Sequence, residues 1–75
     1  MGSPKASAVR QIGGMIFHVA PSRVDVTNLD GNTWVMERGG VCVTGVLSYD
    51  GLEFSFEIKE GDRELVGMTY IVCNK

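Results

Sequence analysis

Residues 52–59, LEFSFEIK, alternate apolar and polar side chains without a break, and the turn-forming triplet YDG at 49–51 comes directly before them. Strict period-two alternation is typical of a β-strand with one buried face, and Asp-Gly is a common hairpin turn. The preceding segment, 41–48, also alternates and is rich in β-branched residues. The stretch 41–59 therefore predicts an antiparallel hairpin. Its second strand directs four apolar residues to the core, Leu52, Phe54, Phe56 and Ile58.

Similar segments lie on both sides of this hairpin, at residues 15–20, 23–27, 33–38 and 64–73. Turns that contain glycine separate most of them, which is the pattern of a chain folded by successive hairpins. Gly45 interrupts the alternation of 41–48 and indicates a bulge or a sharp bend. We therefore predict an all-β fold of five to six short antiparallel strands, arranged as a small barrel or a two-layer sandwich.

The first residues differ from the rest of the chain. Residues 1–12, MGSPKASAVRQI, show neither helical nor strand periodicity and mix Gly, Ser and Pro with two cations. We expect a flexible N-terminal tail at 1–12 and a single all-β domain at 13–75. The core of so short a domain is small, and segment 64–73 carries apolar residues on both faces. We therefore expect a partner to cover one of those faces, or a second copy to do so in a homodimer through an edge strand.

Two features bear on location and on metal binding. No apolar run approaches the roughly 18 residues of a membrane-spanning helix, and no signal-peptide apolar region precedes Met15, so we expect a cytoplasmic protein without a membrane segment. Cys42 and Cys73 have no second Cys or His beside them, which predicts no metal site and no cofactor. We expect both thiols to be free and buried in the core, with an intramolecular disulfide between them as the alternative.

The sequence favours a protein that is not an enzyme. Its one imidazole, His18, stands between Phe17 and Val19, without the neighbouring nucleophile and orienting group that nucleophilic catalysis requires. Glu53 and Glu57 share one strand face, where a short chain leaves no room for a substrate cleft. We therefore assign no catalytic residue.

Charge is divided unevenly along the chain, whose net charge is −2. Residues 1–38 carry four cations against three carboxylates, whereas residues 39–75 carry three cations against six carboxylates. The hairpin predicted around residues 53–64 is acidic and attracts a basic surface on a partner. We therefore expect a small protein-binding module, with Trp34 and Tyr49 as apolar anchors. The acidic residues that would contact the partner are Glu53, Glu57, Glu60, Asp62 and Glu64.

Such a module suits an accessory subunit, or an inhibitor of the kind carried by phages and mobile elements that covers the basic groove of a nucleic-acid-handling protein. The alternative is a small-barrel nucleic-acid-binding protein that uses Arg10, Arg23 and Arg38. Phe54 and Phe56 have the spacing of a base-stacking pair, but their alternation with acidic residues predicts a core position. Because carboxylates repel phosphates, the acidic half of the chain favours protein over nucleic acid as the partner.

Overall fold

The computed structural model describes residues 4–73, which form one α-helix followed by five β-strands. Helix α1 spans Pro4–Phe17, and a short 3-10 turn at Pro21–Arg23 joins it to the first strand. The strands pair antiparallel in chain order, so the sheet is a meander whose edges are its first and last strands. They are β1 (Asp25–Asp30), β2 (Thr33–Arg38), β3 (Val41–Tyr49), β4 (Glu53–Glu60) and β5 (Thr69–Cys73).

The predicted all-β class is confirmed, with five antiparallel strands. Over the described residues the sheet is open: it neither closes into the predicted barrel nor packs against the second sheet of the predicted sandwich. Helix α1 packs on one face of the sheet and provides the second layer that a half-apolar sheet requires. With that face covered, closure is not needed to bury the apolar side chains.

Helix α1 occupies the region predicted as a flexible tail and as a first strand. The tail prediction is wrong for residues 4–12, and the strand predicted at 15–20 is instead the end of the helix and the turn after it. The boundary predicted between residues 12 and 13 falls inside α1, while residues 1–3 lie outside the described part of the chain. Ala8, Val9 and Ile12 are buried, at the spacing of one helix face.

Gly13 and Gly14 let α1 approach its neighbours closely. A Cβ atom on Gly13 would lie 2.6 Å from Val24 Cγ1, and one on Gly14 would lie 2.8 Å from a backbone carbonyl oxygen. The helix ends before His18, which adopts a left-handed conformation with φ of 59°. The Val19 N–H then donates a hydrogen bond of 3.2 Å to the Gly14 carbonyl. These contacts turn the chain towards the sheet.

A single layer of apolar side chains fills the space between α1 and the sheet. Phe54, Phe56 and Ile58 belong to it, as predicted from their alternation, whereas Leu52 lies in the β3–β4 turn and is 79% exposed. The buried set is Ala8, Val9, Ile12, Val24, Trp34, Met36, Val43, Leu47, Phe54, Phe56 and Ile58.

The pairing of β3 with β4 shifts register between Thr44 and Gly45, which confirms the irregularity predicted at this glycine. A Cβ atom on Gly45 would lie 2.5 Å from the Glu57 carbonyl oxygen and 2.5 Å from Cε2 of Phe56. The Phe56 ring therefore covers the glycine, and the strand needs a residue without a side chain here.

The segment predicted as a strand at 64–73 forms β5 only from Thr69 onward. Before it, the N–H groups of Leu65 and Val66 donate to the Asp62 carbonyl oxygen at 2.8 and 3.1 Å, which makes one tight turn. Among the described residues, no helix has both the length and the hydropathy needed to cross a membrane.

Cys42 and Cys73 are free, as predicted. Both are exposed, however, so the prediction that they fill the core is wrong. Cys42 lies opposite Glu37, on the side of the sheet that faces away from α1. Cys73 lies opposite Glu53 at the end of β5 and also lines the groove beside α1.

Candidate protein-binding face

One face of the sheet carries the core and α1, and we call the opposite face the open face. Its side chains alternate with the buried ones along each strand. Strands β1 to β3 contribute Asp25, Thr27, Asp30, Thr33, Val35, Glu37, Cys42, Thr44, Val46 and Ser48. Strands β4 and β5 contribute Glu53, Ser55, Glu57, Lys59, Glu60, Thr69, Ile71 and Cys73.

Strand register brings acidic side chains from three strands to the open face. Asp25 on β1 lies directly opposite Glu37 on β2. On β4, Glu57 lies between Val46 and Thr69, its partners on the neighbouring strands. The acidic residues of the open face are Asp25, Asp30, Glu37, Glu53, Glu57 and Glu60.

Among the strand residues that the structure describes, Lys59 is the one cation on this face. Its Nζ lies 3.3 Å from Oε1 of Glu57, and both side chains are about half exposed, at 52% and 50%. Solvent screens such a pair, which contributes little to stability. The open face therefore keeps a strongly negative character.

The centre of the open face is uncharged. Val35 lies between Thr27 and Thr44 in the register, and Val46 lies beside Thr33. Val35 and Val46 are half-buried by their neighbours. These short β-branched side chains are restricted in χ1. An uncharged centre surrounded by charged groups is the arrangement found in many protein interfaces.

The β3–β4 turn is held by its own polar groups. Oδ1 of Asp50 accepts hydrogen bonds from the N–H groups of Glu53 and Leu52, each at 2.9 Å. These backbone hydrogen bonds, first that of Glu53 and then that of Leu52, hold the pKa of the Asp50 carboxyl below its usual value. The Tyr49 ring stacks on Phe54 with 4.5 Å between centroids, and its hydroxyl donates to the Gly51 carbonyl at 3.0 Å.

The structure separates the acidic residues predicted as the partner site. Glu53, Glu57 and Glu60 lie on the open face. Asp62 and Glu64 lie in the turn between β4 and β5, where Oδ1 of Asp62 accepts the Glu64 N–H at 3.0 Å. Asp62 thus has a local role in shaping this turn.

The two predicted aromatic anchors lie elsewhere. Trp34 is only 7% exposed and packs under α1, so the prediction that it contacts a partner is wrong. Within residues 4–73, its Nε1 finds no hydrogen-bond acceptor. Tyr49 is 49% exposed but lies opposite Phe54, on the helix side of the sheet. Neither aromatic side chain belongs to the open face.

The sequence prediction missed Asp25 and Glu37. Both alternate with core residues, Asp25 beside Val24 and Glu37 beside Met36, and this pattern could have placed them on a solvent face. Their position opposite each other follows from the β1–β2 register, which the sequence alone does not provide.

The arginines of the alternative function lie on three different elements: Arg10 on α1, Arg23 in the 3-10 turn and Arg38 at the end of β2. Arg38 lies opposite Val41 at the start of β3, and the exposed Tyr49 lies at the other end of the same strand. The length of β3 therefore separates this arginine from the exposed aromatic ring. Phe54 and Phe56 are buried, which confirms their predicted core position.

A groove of about 370 Å³ lies between α1 and the end of β5. His18 follows the other end of α1 and does not line it. No group of three or more His, Cys, Asp or Glu side chains within residues 4–73 is placed to hold a metal ion. The groove is lined by Pro4, Ser7, Ala8, Gln11, Phe54, Val72 and Cys73.

Comparison of the chain with protein-family models, with curated proteins and with solved structures gives no match. Evidence on function therefore comes from the geometry of the chain itself.

Proposed function

We propose that this chain is a small non-enzymatic binding module whose open face docks on a basic surface of another protein. One observation supports this most strongly: six carboxylates from three strands surround an uncharged centre, with Lys59 as the one cation among the described strand residues of this face. A partner with cations around an apolar patch complements such a face in both charge and polarity.

The pair formed by Asp25 and Glu37 supports a cationic partner. Like charges directly opposite each other in an antiparallel pair destabilise the sheet by about 0.2–1 kcal/mol. This arrangement does not stabilise the fold, whereas an Arg or Lys side chain from a partner relieves the repulsion between the two carboxylates on binding. The attraction acts mainly on the rate of association and weakens as salt is added.

A nucleic-acid-handling protein is the partner that fits this charge pattern best. Its nucleic-acid-binding groove is positively charged, and an acidic face that covers the groove competes with phosphate for the same cations. The chain then acts as an accessory subunit, or as an inhibitor of the phage or mobile-element type. A cytoplasmic location belongs to this proposal, because free thiols suit a reducing compartment.

The sequence predicts acidic contact residues on one hairpin, whereas this proposal places them on one face of the sheet. Glu53, Glu57 and Glu60 contact the partner together with Asp25 and Glu37, while Asp62 and Glu64 lie outside the contact. A nucleic-acid-binding role through Arg10, Arg23 and Arg38 remains the alternative. Self-association through β5 uses a sheet edge and leaves the open face accessible.

Affinity capture from the native host tests the proposal. The tagged chain is incubated with host lysate at low and at high salt, and bound protein and nucleic acid are both identified. Glu57→Lys reverses a charge on the open face, and Glu64→Lys makes the same change in net charge in the β4–β5 turn. We expect one protein that binds the unaltered chain and Glu64→Lys at low salt, and that Glu57→Lys and high salt release.

Two results would overturn the proposal. One is a partner that Glu64→Lys releases and Glu57→Lys retains, because the contact then lies at the turn. The other is nucleic acid that stays bound after other proteins are removed, which would assign the function to the arginines.

A further inference from the structure

Strand β5 lies at an edge of the sheet but has the composition of a central strand. Its sequence, TYIVC, contains no charged residue, which is also true of β3, a strand paired on both sides. The other edge strand, β1, begins and ends with an aspartate. Monomeric proteins usually protect an edge with charged side chains, proline or a bulge. Within Thr69–Cys73 the structure shows none of these devices.

The backbone of β5 presents unpaired groups along this edge. The Ile58 N–H donates to the Met68 carbonyl at 2.9 Å, which fixes the alternation of the β4–β5 ladder. Tyr70 and Val72 therefore direct their backbone groups to β4, while Thr69, Ile71 and Cys73 direct theirs outward. The Ile71 side chain is 53% exposed and Met68 is 45% exposed. The edge thus combines free backbone groups with exposed apolar surface.

We propose that β5 pairs antiparallel with β5 of a second copy of this chain, about a two-fold axis that runs at right angles to the sheet and passes midway between Ile71 and the partner's Ile71. In this register Ile71 lies opposite the partner's Ile71, and Thr69 lies opposite the partner's Cys73. Every outward-directed residue of β5 then gains a backbone partner. The product is one continuous ten-stranded sheet with both helices on the same side.

The same register fills the groove beside α1. On the helix side of the sheet, Val72 lies opposite the partner's Tyr70. Val72 lines the groove together with Phe54, Ser7 and Gln11. The partner's Tyr70 is half-buried against its own core, so the exposed edge of its ring borders the open side of this groove. A groove of about 370 Å³ accepts one aromatic ring, and the polar groups of Ser7 and Gln11 at its rim suit a phenol hydroxyl.

Charge favours a second copy as the occupant. The acidic residues nearest to β5 are Glu53 and Glu57 on β4. Across the dimer, Glu57 and the partner's Glu53 are three strand spacings apart, about 14 Å, which exceeds the screening length of roughly 8 Å at physiological salt. Two copies therefore meet without strong repulsion. A positively charged partner gains no electrostatic attraction at this uncharged edge.

A disulfide test measures the proposed register. The background variant carries Cys42→Ser and Cys73→Ser, and Ile71→Cys is added to it. Residues opposite each other in a hydrogen-bonded antiparallel pair have Cα atoms about 5.5 Å apart, a separation that a disulfide spans. We expect a covalent dimer under mild oxidation. The matched control adds Thr27→Cys to the same background. This places a cysteine on the same face of the sheet but on the other edge strand, β1, and we expect it to stay monomeric.

Light scattering of the reduced, unaltered chain provides the second measurement. We expect the mass to rise from monomer towards dimer between about 10 and 500 μM, the range suited to a small interface. Ile71→Lys, at an exposed position, should remain folded and monomeric throughout. A monomer at every concentration, or equal crosslinking of Ile71→Cys and Thr27→Cys, would overturn the dimer. The inference does not rest on the proposed function, because Glu57→Lys should abolish partner binding and leave the dimer intact.

Discussion

At the scale of single residues, Gly45 shows how an absent side chain shapes the core. The Phe56 ring and the Glu57 carbonyl occupy the space that a Cβ atom would need. The carbonyl belongs to the β3–β4 ladder and cannot move without disturbing it, and the ring is fully buried. The bulge beside Gly45 therefore depends on glycine for steric reasons rather than for a special backbone angle.

We predict that Gly45→Ala lowers the free energy of unfolding by about 2–3 kcal/mol, the cost of overpacking a rigid site. Urea denaturation followed by Trp34 fluorescence measures the change. Ser48→Ala, an exposed position of the open face on the same strand, should alter stability by less than about 0.5 kcal/mol. Similar losses in both variants would contradict the steric account.

Asp50 provides a prediction on pH. Its folded-state pKa is lowered from 3.8 because the ionised carboxylate accepts two backbone hydrogen bonds. Its contribution to stability is therefore complete above the unfolded pKa and is lost as pH falls through the lower folded pKa. Asp50→Asn keeps an acceptor oxygen that does not titrate. We expect the stability of the unaltered chain to fall relative to Asp50→Asn as the pH is lowered through 3.8 and below.

Denaturant titrations of both chains at several pH values measure this difference. A difference in unfolding free energy that stays constant across the range would show that the turn does not depend on the ionised form of Asp50.

At the scale of elements, the strands were more predictable than the helix. The segment Thr33–Arg38 is β2, with the predicted bounds, because a strand's alternation reports its two faces directly. Helix α1 is held by tertiary packing of Val9 and Ile12 rather than by its propensity, since Gly13 and Gly14 weaken an isolated helix. The buried face of α1 can therefore be recognised only once the sheet that it covers is known.

The helix yields its own prediction. If α1 is part of the core, Ile12→Ala should lower the free energy of unfolding by about 2–5 kcal/mol, the usual range for a buried isoleucine. Gln11→Ala, at an exposed neighbouring position, should change it by less than about 0.5 kcal/mol. Chemical denaturation monitored by circular dichroism measures both. Equal stability of the two variants would show that the N-terminal segment behaves as a tail.

At the scale of the whole molecule, the sequence predicted amphipathic strands but not what covers each face. Trp34, predicted as an anchor for a partner, is a core residue because α1 covers its side of the sheet. Only part of the candidate site can be predicted from the sequence, because the rest depends on how the strands pair. Glu53 and Glu57 are close in the chain and alternate visibly, whereas Asp25 and Glu37 join them only through the register of four strands.

The central claim is that the open face binds a basic protein surface, and photo-crosslinking in the native host tests it most directly. A photoreactive amino acid replaces Thr44, at the centre of the open face, or Ser22, in the 3-10 turn before the sheet. We predict that the Thr44 position crosslinks to one protein through a Lys- and Arg-rich peptide, that Glu53→Lys with Glu57→Lys abolishes this product, and that the Ser22 position gives none. The same product from Ser22, with none from Thr44, would contradict the account.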